Sequence, residues 1–379
     1  MNKMIPLSVP NIKGNEIKYV EKALKDEWVS TAGSFIVDFE NNVKKYTNSN
    51  YAVACQSGTS GIHLALLTLN INSNNEVIVP TLTFIAAVNP IKYVGAEPIF
   101  MDCDDSLCLD ARKLQEFCEK ECIFVNNKLI NKKTNKHIKA IIVVHIFGNM
   151  ANMEDIMEIC KKYNLKVIED ATESLGTFYE DGVYKGKYAG TIGDVGIYSF
   201  NGNKIITTGG GGMVVCNNED IASKIKYLST QAKDDEVYFV HNEIGYNYRM
   251  TNLQAAVGLA QLERLEEFID IKKKNYNLYN ENKINLLQFN KKCRSNYWFY
   301  SYLTDKRDLL IKELQKNKIQ TRPIWKLIHT LEPYKDCQCY KIEKATYYYD
   351  KVLNIPCSSN LLCEDVLYVC KKIKEIENS

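Results

Sequence analysis

Short apolar runs rich in β-branched residues recur along the chain at positions 51–55, 76–79, 98–101, 140–145, 165–168, 195–200 and 213–216. Between them the apolar spacing changes to that of a helix: Ile17, Val20 and Leu24 before Trp28, and Ile156, Ile159 and Cys160 before Tyr163. Short apolar strands alternating with amphipathic helices predict an α/β fold, with a mainly parallel central sheet covered on both faces. Ligands of such sheets collect beyond the carboxyl ends of the strands.

Further on, positions 253–271 read as one long helix, with Leu259, Leu262, Leu265 and Phe268 on its apolar face. A strand at 297–303, a helix at 308–315 and a last helix at 364–376 follow. The chain therefore reads as a large domain over residues 1–270 and a smaller C-terminal α/β domain over 271–379, joined somewhere within 265–280. Positions 122–138 read as a polar hairpin insertion around Lys132-Lys-Thr-Asn-Lys136.

Composition narrows the classes of function. With 379 residues, 45% of them hydrophobic, the chain can bury a large core. With a formal charge of +2 nothing global argues for nucleic acid or a membrane surface as partner, neither is expected, and a solvated hairpin explains the basic stretch 126–139 more cheaply than a partner site. No apolar run approaches the length of a membrane span, and the segment Met1-Asn-Lys-Met-Ile-Pro-Leu7 is too short and broken for a signal peptide. The 13 cysteines, odd in number and scattered through strand-like runs at Cys55 and Cys216, predict reduced thiols and a cytoplasmic protein. Cys118-x3-Cys122 and Cys337-x-Cys339 lack a second pair at metal-binding spacing, so no metal site is expected.

The candidate chemistry sits at strand ends. Lys204 follows the run 195–200 and precedes four glycines, Gly209 to Gly212; Asp170 closes the run that begins at Leu165. An amine and a carboxylate at one sheet edge suit a cofactor aldehyde that forms a Schiff base with lysine and a ring nitrogen kept protonated by the acid, which is the chemistry of pyridoxal 5'-phosphate. Such a cofactor also needs an anion cup. Gln56-Ser-Gly-Thr-Ser60 opens a helix directly after a strand, where Gly58 and the amides of Thr59 and Ser60 could face a phosphate. The same residues also make an ordinary helix cap. Phe84, in Pro80-Thr-Leu-Thr-Phe84, follows another strand and could stack on a ring, although taken by itself a place in the core is the favoured reading. Nucleotide loops do not fit, because Gly202-Asn-Lys204 is followed by isoleucine and no GxGxxG follows a strand. Of the histidines, His63 reads as a helix residue without a chemical role, His145 as packed or near the cofactor, and His137 and His241 as solvated loop residues.

These segments, with Gly14-Asn-Glu-Ile-Lys18, Trp28-Val-Ser-Thr31, His145-Ile-Phe-Gly148, Glu169-Asp-Ala171, Tyr198-Ser-Phe-Asn-Gly-Asn-Lys204, Gly245-Tyr-Asn-Tyr-Arg-Met250 and Arg322-Pro323 with His329, give the chain a resemblance to the DegT/DnrJ/StrS sugar aminotransferases over nearly its whole length. The resemblance implies the fold of fold-type-I pyridoxal phosphate enzymes. It implies Lys204 as the Schiff-base lysine, Asp170 on the pyridine nitrogen and Phe84 on the ring. Thr59, Ser60 and Ser199 would hold the phosphate, with Asn247 reaching it from a second subunit of a homodimer with shared active sites. Thr31 and His329 would touch substrate. Glu173 stands where many relatives carry glutamine or histidine, and would alter contacts around the cofactor. Gly210 stands where many carry glutamate. L-glutamate is implied as amino donor, and a UDP- or GDP-linked keto sugar as acceptor. The 201–208 pattern and the 122–138 insertion resemble enzymes acting at C4 of 4-keto-6-deoxy sugars, in particular those of legionaminic-acid synthesis. GDP-perosamine synthesis is the nearest alternative. An inactive binding relative is disfavoured by the intact lysine and aspartate.

Overall fold

In the computed structural model, which describes residues 4–235 and 237–378, the apolar runs assemble into one ten-stranded sheet. Its strands are β1 (Tyr51–Cys55), β2 (Asn75–Pro80), β3 (Glu97–Met101), β4 (Cys122–Val125), β5 (Lys128–Asn131), β6 (His137–Val144) and β7 (Lys166–Asp170). After a short β8 (Phe178–Tyr179) come β9 (Val195–Ser199) and β10 (Gly212–Cys216); β11 (Cys293–Arg294) pairs with β8. The C-terminal region adds β12 (Tyr300–Leu303), β13 (Arg322–Pro323), β14 (Gln338–Tyr340) and β15 (Val352–Ile355).

Along the large sheet the order is β1-β10-β9-β7-β6-β2-β3-β14. Along that path every neighbour from β9 to β14 is parallel and β10 runs against both β1 and β9, while β5 and β4, off the path, add an antiparallel hairpin to β6. Reversing direction twice returns β1 to the sense of β9. The carboxyl ends of β1, β2, β6, β7 and β9 therefore meet at one edge, where the chemistry-bearing residues emerge. Strands such as Val77, Ile78 and Val79 are fully buried because helices cover both faces, leaving two apolar cores, one on each side.

The helices are α1 (Glu16–Lys25), α2 (Ser34–Thr47), α3 (Gly58–Thr68), α4 (Asn89–Tyr93), α5 (Ala111–Lys120) and α6 (Met153–Lys162). They continue as α7 (Glu219–Ser229), α8 (Asn252–Leu262), α9 (Leu265–Glu281), α10 (Arg307–Lys316), α11 (Lys344–Lys351) and α12 (Cys363–Glu377). The single helix expected at 253–271 is thus two. Glu263 at the break accepts hydrogen bonds from Asn15 Nδ2 (2.8 Å) and Tyr19 Oη (2.5 Å), which hold α8 to the first helix. Arg264 leaves helical geometry at φ −111° and ψ 7°, and α9 sets off to pack on α12. The apolar period runs through the corner unbroken, so spacing alone does not reveal it.

The 122–138 insertion is also more deeply tied in than a solvated hairpin. Strand β5 pairs with β6, Leu129 is fully buried, and Asn131 Nδ2 donates to Glu76 Oε2 and Gln338 Oε1, both at 2.8 Å. His137 is consequently the first residue of β6 and half-buried, not part of a loop. The remaining sheet, β12-β15-β13, is antiparallel. The expected division at 270/271 falls inside α9, and the chain ends cross it. Ile5 bridges Ile319, the Cys357 amide donates to Leu7 O (2.8 Å), and β14 joins the large sheet beside β3.

Candidate active site

A cavity of about 350 Å³ opens at the carboxyl edge of the sheet. Gly58, Thr59, Phe84, Asp170, Glu173, Ser199 and Lys204 of the sequence-predicted residues line it together. Lys204 sits on the connection between β9 and β10, where its amide closes a turn onto Asn201 O (3.0 Å). Its Nζ lies 4.3 Å above the Trp298 ring and 3.5 Å from Glu173 Oε1. Trp298 is itself held by its indole N–H, which donates to Asn203 O at 2.7 Å.

Asp170 ends β7, and one carboxylate oxygen accepts the Thr172 amide at 3.1 Å. Burial raises its pKa, against the lowering pull of Thr172, Lys204 and His145. Behind it, His145 accepts the Ala151 amide at Nδ1 (3.2 Å), which leaves Nε2 to donate to Glu169 Oε2 (2.8 Å). Glu169 in turn accepts the amides of Gly190, Ile192 and Gly193. His145 is completely buried behind the end of β7, where its amide donates to Asp170 O at 3.0 Å.

At the α3 N-terminus Ser57-Gly-Thr-Ser60 forms a helix cap. Ser57 Oγ accepts the Ser60 amide (3.1 Å) while Ser60 Oγ accepts the Ser57 amide (2.9 Å), a reciprocal cap. Ser60 is therefore buried in the cap and off the cavity wall, whereas Gly58 and Thr59 remain on it. At Gly58 an added Cβ would lie 2.8 Å from Thr172 Cγ2 and 3.1 Å from Ser199 Cβ, so no side chain fits. Phe84 is 50% exposed and tilted 5.9 Å from Trp325; it faces the cavity and not the core.

Three predicted residues lie elsewhere. Thr31 is exposed on the segment strapped to α8 through Asn252, whose amide and Nδ2 donate to Ser30 O and Trp28 O. His329 bonds Thr81 Oγ1 through Nδ1 (2.6 Å) and is not among the residues lining the cavity, and burial lowers its pKa. Asn247 is exposed and bridges Thr230. Of the other histidines, His63 packs in α3 among Tyr93, Tyr246 and Tyr248, and His241 is exposed with Nδ1 2.8 Å from Gln231 O.

Spacing missed the aromatic walls. Trp298 was hidden in a run that reads as a strand, and Trp325 lies two residues past Arg322-Pro323. Gly210 lines the cavity, and a Cβ there would meet nothing nearer than the Gln254 amide at 3.8 Å. The donor set suits pyridoxal phosphate: a half-buried amine, a buried carboxylate, helix-end amides and a phenyl ring on one cavity wall.

The sequence profile of the DegT/DnrJ/EryC1/StrS aminotransferase family matches residues 10–374. Among similar proteins are a GDP-perosamine synthase of Escherichia coli O157:H7, 39% identical with 98% of each chain covered. A UDP-4-amino-4,6-dideoxy-N-acetyl-beta-L-altrosamine transaminase of Campylobacter jejuni is 30% identical over 97% of this chain and 96% of its own. In structure, a DegT DnrJ EryC1 StrS aminotransferase from Brucella abortus superposes with a TM-score of 0.88 at 25% identity, covering 96% of each chain. The PLP-form of a sugar aminotransferase from Streptococcus pneumoniae gives 0.87 at 23% identity and 99% coverage of each. The chain belongs to the DegT/DnrJ/EryC1/StrS aminotransferase family, and has the fold-type-I architecture and the pyridoxal phosphate dependence of that family.

Proposed function

We propose that this aminotransferase moves an amino group from L-glutamate to C4 of a nucleotide-linked 4-keto-6-deoxyhexose bearing a 2-acetamido group. The observation that carries the reading is Lys204 Nζ and buried Asp170 on the wall of one cavity. Pyridoxal phosphate supplies, when bound, an electron sink for the carbon that loses or gains the amine. Asp170 would hold a proton on the ring nitrogen. The Gly58 and Thr59 amides, with Ser199, would receive the phosphate at the positive end of α3. Phe84 would cover one face of the ring. Lys204 Nζ would take the proton from the donor carbon in one half-reaction and, in the other, deliver a proton to C4 of the acceptor.

The family's work on sugars, and the Campylobacter jejuni relative named for an N-acetylated 4-amino-4,6-dideoxy product, support this acceptor. The higher identity to a GDP-perosamine synthase favours a second reading, a GDP-linked 4-keto-6-deoxy sugar without the acetamido group. Steady-state turnover with L-glutamate and both acceptors separates them, with 2-oxoglutarate and the amino-sugar nucleotide read by mass spectrometry. A higher kcat/KM for the UDP-linked acetamido sugar is expected. The reverse order moves the assignment to the GDP sugar, and no 2-oxoglutarate with either sinks both.

We also infer a homodimer. Val237, Tyr238, Phe239 and Ile244 are 69–83% exposed on a loop just before Asn247. Asn247 does not line its own cavity, so a second subunit's cavity is where it would act. The described residues include no helix able to cross a membrane, and all thirteen cysteines are unpaired, which suits a reducing cytoplasm.

A further inference from the structure

The second buried carboxyl on the cavity wall has no task in the reading above. Glu173 is 4% exposed. Its Oε2 accepts the Phe147 amide at 2.7 Å, and Phe147 takes the left-handed conformation (φ 56°) that turns this amide inward. Its backbone carbonyl accepts Asn296 Nδ2 at 2.9 Å. With one oxygen tethered, the other, Oε1, lies 3.5 Å from Lys204 Nζ, which also sits 4.3 Å from the centre of the Trp298 ring. At 3.5 Å the two groups stand as an ion pair.

Charge counting sharpens the point. Fully ionised, Asp170 and Glu173 set two negative charges against one ammonium in a buried pocket. Moving one proton from the ammonium to a carboxylate leaves a single charge, on Asp170. The titratable groups facing Glu173 are Lys204, Asp170 and the Cys108 thiol. Burial pushes Cys108 up to about 12, so it stays neutral, while His145 is engaged by Glu169. Burial, partly offset by Lys204, raises Glu173 to about 7.

We propose that Glu173 is the catalytic acid–base partner of Lys204, accepting the Nζ proton at Oε1 to free the amine for carbonyl addition and then returning it. One N–H bond breaks and one O–H bond forms; an ammonium–carboxylate pair becomes an amine and a carboxylic acid, with no net electron transfer. The inference rests on the reading of Lys204 as the carbonyl-attacking amine, and its test separates the two.

Full-length, cofactor-free protein is treated with a small aldehyde and cyanoborohydride across neutral pH, and alkylation of each lysine is followed by peptide mass spectrometry. Lys204 in the wild type should be trapped faster than surface lysines, with an inflection in rate near pH 7. Glu173→Gln keeps an acceptor for the Phe147 amide but cannot take a proton. It should lose that inflection and trap Lys204 about tenfold or more slowly at neutral pH, with surface lysines and thermal melting unchanged. Equal or faster trapping in the variant overturns the acid–base role of Glu173 alone. Wild-type Lys204 trapped no faster than surface lysines overturns the reading of Lys204 itself, and this inference with it. Were Glu173→Gln not to fold, infrared titration of the wild type decides. A protonated-carboxyl band should vanish as pH rises through neutrality, and at higher pH in Lys204→Ala; no such band overturns the proposal.

Discussion

Lys204 and Asp170 stand 34 positions apart, yet meet because β7 and β9 are parallel neighbours, with Asp170 in register with Ile197. This meeting was legible: both residues close apolar runs, and runs of that kind deliver their ends to one edge. Whether Ser60 offered its hydroxyl to an anion was not legible, because a capping box and an anion cup use the same residue types. Nor were Trp298 and Trp325, which reach the cavity through tertiary packing and not through any period. Asp170→Asn tests the role proposed for the carboxylate while keeping its shape. Burial already works against the charge of Asp170, so the amide should leave the melting temperature at neutral pH undiminished. Steady-state kcat with L-glutamate should fall by about 100-fold or more, since an amide does not hold a proton on a ring nitrogen. An unchanged kcat would remove Asp170 from the mechanism.

At the scale of elements, what holds the C-terminal region against the large sheet is a polar clasp at the end of β3. Asp102 is completely buried and caps α11, its carboxylate accepting the amides of Glu343, Lys344 and Ala345 at 2.8–3.0 Å and the Lys113 ammonium at 2.7 Å. Burial by itself would raise the Asp102 pKa, but Lys113 and the three amides outweigh it and lower it. The sign of the linkage follows. A carboxyl with a depressed folded pKa contributes stability that is fully present above its unfolded value, and loses it as pH falls through the folded one. Asp102→Asn should therefore cost about 3 kcal/mol in urea unfolding near neutral pH. The gap between variant and wild type should close below about pH 4, where the unfolded carboxyl takes up its proton first. A gap independent of pH would mean that the clasp works through shape and not charge. The cap was invisible in the sequence because donor and acceptor are some 240 positions apart, just as the corner between α8 and α9 was hidden by an unbroken apolar period.

At the scale of the whole molecule, the exposed apolar loop and the absence of Asn247 from the wall of its own cavity bear on the same question, whether one subunit completes the site of another. A C2 pair would exchange the loops reciprocally, so each site would take Lys204 from one chain and Asn247 from its partner. Complementation makes the argument quantitative. Lys204→Ala alone should be inactive, and Asn247→Ala alone should bind pyridoxal phosphate at least tenfold more weakly, at a coenzyme concentration that leaves it nearly inactive. After denaturation, mixing in equal amounts and refolding, half of the dimers should be mixed, and each mixed dimer should contain one site with both residues intact. Activity per site should then recover to about a quarter of wild type at that coenzyme concentration. If Asn247 instead served its own chain's cavity, the mixture would hold no intact site and would stay at the level of its parents. Phe239→Asp supplies the converse measurement. A charge on that loop should shift the protein to monomer in sedimentation velocity and abolish turnover with it, whereas a fully active monomer would show that each chain builds its site alone.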